Sequence, residues 1–205
     1  MGRLVWLVVA LAACAVALGT HVLHDAGKEG MTAPQMALIR AMQALTAYWK
    51  INQQLHKVGK PCALTYYSSY PETAAEGIGY NGYEWSGLFK GIDRKKSLEW
   101  VKNHNIAAVH SEDWARYGNK WVLVGWDDKL ICAKVIDVCA DVDTPNKKQC
   151  TLNKNKYGKP GFLIDLELNT AKRIGFKGMD RAFFAVVKEP PANSLLLYGT
   201  STDFK

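Results

Sequence analysis

Six short apolar runs limit what this chain can build: Ala63–Tyr67, Ile106–His110, Trp121–Gly125, Leu130–Val138, Phe162–Leu166 and Ala182–Val187. Each is rich in β-branched, aromatic or leucine side chains, and turn-forming or polar residues separate one from the next. That is the pattern of strands rather than of long helices. All six fall between Pro61 and Lys188. Six strands of this length can close into a small barrel whose interior is filled by side chains, and closure removes the exposed edges on which sheets aggregate. The expected fold is mainly β: a six-stranded barrel.

Before the strands, Thr32–Lys57 has the spacing of an amphipathic helix, with Met36, Ile39, Met42, Leu45, Trp49 and Leu55 three or four residues apart. Thr32 can cap it, Pro34 is tolerated in its first turn, and Gly59 and Pro61 end it. Two short helices are expected between strands. One runs from a cap at Asp93 to Val101. The other covers Thr170–Ile174, capped by Asn169 and stopped by Gly175. Tyr70–Gly91 is aromatic and glycine-rich and carries the turn signal Asn81-Gly82.

The first residues belong to no fold. Arg3 precedes the apolar stretch Leu4–Leu18, which ends in Ala17-Leu18-Gly19. A basic start, a short apolar segment and small residues at the cleavage site describe a signal peptide. The stretch is short for a membrane span. The expected organisation is residues 1–19 as signal, 20–60 as a polar lead and helix, 61–188 as the barrel, and 189–205 as an extended tail opening on Glu189-Pro190-Pro191. The chain is then secreted and carries no stable membrane anchor.

Removing the signal leaves Cys62, Cys132, Cys139 and Cys150. An even count in an oxidising compartment predicts two disulfides, with three connectivities open to four cysteines. Cys139 and Cys150 flank the polar loop Ala140–Gln149, which favours that pair, and Cys62 with Cys132 is what remains. No zinc spacing is present. Asp141-x-Asp143 reads as solvated loop charge, since no calcium-loop spacing follows. His21-x-x-His24 gives no metal site under the favoured cleavage, so neither a metal nor a cofactor is expected.

The net charge is +7 for the whole chain. Basic residues gather in polar loops, at Arg94-Lys95-Lys96, at Lys147-Lys148, and at Lys154, Lys156 and Lys159. Such runs are solvated surface or attract an anionic polymer or membrane surface. No nucleic-acid-binding motif accompanies them.

Two aspartates interrupt apolar strands: Asp137 in Lys134-Val135-Ile136-Asp137-Val138-Cys139 and Asp165 in Phe162-Leu163-Ile164-Asp165-Leu166. An ionised carboxylate in such a setting costs on the order of several kcal/mol unless it is paired, hydrogen-bonded or protonated. Two of them, each preceded by isoleucine, predict one shared acidic site. Perturbed carboxylates are candidates for acid catalysis or for binding sugar hydroxyls.

Read in order, Ile136-Asp137-Val138-Cys139, Leu163-Ile164-Asp165-Leu166, Thr170-Ala171-Lys172-Arg173-Ile174-Gly175 and Phe183–Val187 resemble the second half of the double-psi β-barrel. That superfamily includes expansins, barwin-like proteins, rare lipoprotein A and small endoglucanases. Leu64-Thr65-Tyr66-Tyr67 and Ile106-Ala107-Ala108-Val109-His110 resemble its opening strands. The resemblance spans Leu64 to Val187. It implies a double-psi barrel with a polysaccharide groove that holds Asp137 and Asp165 as catalytic or sugar-binding aspartates, with Thr65 beside them. It places His110 where rare lipoprotein A carries a histidine. One departure stands out. Hydrolytic endoglucanases of this fold carry a second acid just after the opening aromatic strand, and here no carboxylate follows until Glu72. Inverting hydrolysis needs an acid and a base on opposite faces of the bond, so the departure argues against cellulase activity.

Flat rings that could stack on sugars are plentiful, and Tyr67 and the turn-borne Tyr83 are chosen as binding candidates alongside Thr65 and His110. Three readings follow. The first is an expansin-like protein that binds or loosens a cell-wall or extracellular polysaccharide. The second is a lytic transglycosylase-like enzyme using an aspartate as acid and base. The third is a barrel reused as a protein-binding effector or inhibitor.

Overall fold

The computed structural model describes residues 32–71, 85–190 and 204. The expected signal segment, Tyr83, Glu72 and most of the C-terminal tail lie outside the described residues. The barrel elements follow the sequence reading closely. They are helix α1 (Ala33–Val58), β1 (Lys60–Tyr67), α2 (Leu98–Lys102), β2 (Ile106–His110), α3 (Trp114–Tyr117), β3 (Trp121–Trp126), β4 (Lys129–Cys139), α4 (Gln149–Lys154), β5 (Leu163–Glu167), α5 (Leu168–Arg173) and β6 (Asp180–Val187).

The six strands close into a barrel in the order β1-β5-β2-β4-β3-β6. The barrel is mixed. β1 runs parallel to β5 and β2 parallel to β4, while the other neighbours are antiparallel. β5, late in the chain, is inserted between β1 and β2. This order and polarity are those of a double-psi β-barrel. Two helix caps differ from expectation. Ser97, not Asp93, caps α2, its hydroxyl accepting from the Trp100 N–H. Glu167, not Asn169, caps α5.

Alternation along the strands sorts side chains to the two faces of the wall. Cys62 and Leu64 of β1, Val109 of β2, Ile131 of β4, Ile164 of β5 and Phe184 of β6 share the interior cluster. Phe184 stacks on Phe162 with 4.4 Å between ring centroids. Filling the interior with such side chains stabilises the barrel by about 1.5–3 kcal/mol for each one fully buried.

Two compact units divide the chain, at Ala47 and Tyr48. In the first, the described residues form the opening turns of α1. In the second, the remaining turns of α1 pack on the outer face of β3 and β4. Leu55 joins Leu123, Leu130 and Cys132 there. The Tyr48 hydroxyl donates to the Asp128 carbonyl at 3.1 Å and accepts from the Leu130 N–H at 2.8 Å. Gly125 makes the close approach possible, since a Cβ at that position would lie 2.9 Å from the Leu55 side chain.

The cysteines depart from expectation in one pair. Cys139 and Cys150 are bonded, with 5.7 Å between their Cα atoms, but Cys62 and Cys132 are free and buried. The reason is strand parity. Cys62 points into the barrel, whereas Cys132 points out of it, beneath α1, so the wall separates the two thiols. Burial pushes the Cys132 thiol up to about 12 and raises Cys62 as well, and the thiolate is the reactive form. A thiol-alkylating reagent is therefore expected to label neither Cys62 nor Cys132 in native, non-reduced protein and both after unfolding. Labelling of native protein, or of fewer than two thiols after unfolding without reductant, would contradict this arrangement.

Candidate functional site

The site is built on the outer face of four adjacent strands. In β5 the inward-facing Ile164 and Leu166 leave Asp165 and Glu167 on the outer face. In β1 Leu64 faces inward and Thr65 outward, and Thr65 is in register with Asp165. In β2 Ala107 and Val109 face inward, and outward-facing Ala108 is in register with Asp165 on one side and Asp137 of β4 on the other. A register shift between Ala107 and Ala108 brings Asp137 into that position. Thr65, Asp165, Ala108 and Asp137 thus form one row across β1, β5, β2 and β4. The backbones of the two aspartates are two strand spacings apart, about 10 Å, with a methyl group between them.

This row lines a cleft of about 550 Å³. The Cys139–Cys150 disulfide, Gln149 and Asn153 line another part, and Trp85, Ser86 and Leu88 a third. The last three lie in a segment tied down by backbone hydrogen bonds from Gly91 to Ile136 at 2.8 Å and from Gly87 to Ser69 at 3.1 Å. Tyr66 and Trp85 are exposed lining residues.

The carboxylates differ in their surroundings. Asp165 is buried and accepts from the Thr65 hydroxyl at 2.6 Å. Asp137 is half-buried. It accepts from the N–H groups of Val138 at 2.9 Å and Lys90 at 3.4 Å. Burial nevertheless raises its pKa to about 6, and the negative charge of Asp143 adds to the effect. Asp137 is thus a perturbed acid of the cleft, and burial is the main cause.

Glu167, which the sequence reading passed over, is the third acid of this face. It lies two residues beyond Asp165 and in register with Tyr67. It is almost fully buried. Its carboxylate accepts from the Ser69 hydroxyl at 3.0 Å and the Asn169 N–H at 2.6 Å, while burial raises its pKa. Alternation was the available signal, because the parity that sends Asp165 outward sends Glu167 outward too.

Tyr67 lies among these acids. Burial, with the charges of Asp137, Glu167 and Asp165, holds its pKa well above the usual value. Its hydroxyl is paired with the Asp137 carboxylate, which accepts from it. Tyr67 and Thr65 both line the cleft.

His110 is also buried, but it is not among the residues lining the cleft. It lies 3.1 Å from the Thr151 hydroxyl and accepts from the Glu112 N–H at 3.3 Å. Thr151 in turn donates to Asp141 at 2.6 Å. These contacts anchor the disulfide loop to the end of β2. His110→Ala is expected to cost about 1–3 kcal/mol, because it strips a buried polar network of one member. Chemical denaturation of the variant measures this directly. Among the described residues, no group of three or more His, Cys, Asp or Glu side chains could hold a metal ion.

No family model matches the chain, and no curated protein matches it. Among solved structures, it is similar to an apo expansin of Clavibacter michiganensis, at 14% identity and a TM-score of 0.37 over 66% of this chain and 53% of that one. The chain thus spans about half the length of that expansin. It is also similar to the β-1,4-D-endoglucanase Cel45A of the blue mussel Mytilus edulis, at 14% identity and a TM-score of 0.45 over 71% of this chain and 88% of that one. A third similar structure is the GH45 endoglucanase EG27II in complex with cellobiose, at 11% identity and a TM-score of 0.41 over 70% and 88%.

Proposed function

We propose that this is a secreted, expansin-like protein that binds or loosens cell-wall or extracellular polysaccharide in the cleft over β1, β5, β2 and β4. The observation that carries the reading is the row Thr65–Asp165–Ala108–Asp137 on the wall of an open cleft. The alanine methyl leaves room between two carboxylates. A sugar ring laid over it meets hydroxyl acceptors on both sides, with the flat faces of Tyr66 and Trp85 nearby. Secretion is supported by the Cys139–Cys150 disulfide, which persists in an oxidising compartment. Among the described residues, no helix is long and apolar enough to cross a membrane.

A second reading, cleavage of the glycan, draws on Asp137. A carboxyl with a pKa raised to about 6 keeps its proton in mildly acidic surroundings and can pass it to a glycosidic oxygen. Incubating the oxidised protein with insoluble wall polymers separates the readings. Retention on the polymer without soluble sugar is the expected result. Release of soluble fragments establishes cleavage, and neither retention nor release overturns both readings.

A further inference from the structure

A ladder of three side-chain amides runs along α4 to the cleft, and one backbone group fixes its direction. The Lys148 N–H donates to Asn146 Oδ1 at 3.0 Å. A backbone N–H cannot reverse its role, so Asn146 turns its oxygen toward Lys148 and keeps Nδ2 for another partner. That Nδ2 donates to Gln149 Oε1 at 3.0 Å, and Gln149 Nε2 donates to Asn153 Oδ1 at 2.7 Å. Each amide thus sets the orientation of the next. What remains at the far end is Asn153 Nδ2, a donor that no group accepts from among the described residues.

Gln149 and Asn153 both line the cleft, and Asn153 is half-buried. Their helix is anchored. Cys150 is bonded to Cys139 at the end of β4, and the Thr151 N–H donates to Asp141 at 3.0 Å. The α4 wall and the strand wall therefore ask a ligand for opposite things. Asp137 and Asp165 accept, and sugar hydroxyls satisfy them. Asn153 Nδ2 only donates. A hydroxyl that accepts from it still has a proton of its own to place, whereas a carbonyl oxygen has none. An acetamido group brings such a carbonyl, and its N–H, on the opposite side of the amide, suits a carboxylate. Resting on the polysaccharide reading above, we propose that the cleft takes a glycan bearing acetamido groups. Asn153, oriented through Gln149 and Asn146, selects it by donating to the acetamido carbonyl.

The test is titration of the oxidised protein with soluble oligomers of N-acetylglucosamine and of glucose, equal in length and linkage, so that they differ only in acetamido against hydroxyl. The N-acetylated oligomer is expected to bind about tenfold more tightly. In Asn153→Ala the two affinities should come within about threefold of each other. Gln149→Glu asks the same question without touching Asn153. The new carboxylate has only acceptors, so Asn153 turns its Nδ2 toward it and its oxygen toward the ligand, and the advantage should again shrink to within about threefold. Both oligomers are neutral, so the added charge acts on both alike and cancels in the ratio. Residue 149 is exposed, and thermal melting of the variant is expected to match that of the unmodified protein. Equal affinity in the unmodified protein, or an advantage that survives either substitution, would overturn the inference and leave the polysaccharide reading standing. Failure to bind either oligomer would overturn the inference as well, and the polysaccharide reading falls with it only if the protein also fails to stay on insoluble wall polymers.

Discussion

Asp165→Asn is expected to weaken polysaccharide binding by about a hundredfold while changing stability by less than about 1 kcal/mol. The asymmetry follows from what the carboxylate touches. One oxygen accepts from the buried Thr65 hydroxyl at 2.6 Å, and an amide oxygen can take over that bond. The other carboxylate oxygen becomes an NH₂ group, which donates and cannot accept from a sugar hydroxyl. A charge-assisted acceptor in the middle of the row is thereby lost. Asp165→Ala behaves differently, because it also leaves the Thr65 hydroxyl buried without its acceptor, at about 1–3 kcal/mol. Pull-down on wall polymers and thermal melting of both variants read the two effects separately. Intact binding with a lowered melting temperature in Asp165→Asn would make the aspartate a structural residue and remove the basis of the proposed function.

The site was partly legible in the sequence for a simple reason. A carboxylate inside an apolar strand conflicts with its surroundings, and such conflicts mark sites. Asp137 and Asp165 were visible in that way, and so were the strands that carry them. Their relation was less visible. Thr65 and Asp165 are 100 residues apart, and only the insertion of β5 between β1 and β2 sets them side by side. Local pattern does not encode strand order, so that information came through the resemblance to a known barrel. The failure at Cys62 and Cys132 has the same root. Counting cysteines ignores which face of the wall each one occupies, and the burial of the outward-facing Cys132 depends on α1 docking over β3 and β4. Glu167 was missed for another reason. It stands between Leu166 and Leu168, one residue past the apolar run Phe162–Leu166 read as the strand, so its place on the outer face was not counted.

Asp137→Asn is expected to stabilise the protein by about 2 kcal/mol at neutral pH and by almost nothing near pH 4. In the unfolded chain an aspartate titrates near 3.9, and in the folded protein Asp137 titrates at about 6. Below about pH 4 the group is protonated in both states and contributes no difference. Between about pH 4 and 6 the unfolded chain ionises first, so the native state binds the extra proton and stability falls as pH rises. Above about pH 6 the whole penalty is in place. Two pKa units would amount to nearly 3 kcal/mol, reduced here to about 2 because the residue is only half-buried. The amide can still accept from the Val138 and Lys90 N–H groups, so the variant loses the charge and keeps the shape. Denaturant titrations of both proteins across this range measure the difference, and a gap that does not vary with pH would mean that ionisation is not its cause. The same proton separates the two functions considered for the cleft. Acid cleavage needs Asp137 protonated, so fragment release would fall as pH rises through about 6. Retention on the polymer does not need that proton, so binding without cleavage would persist above about pH 6.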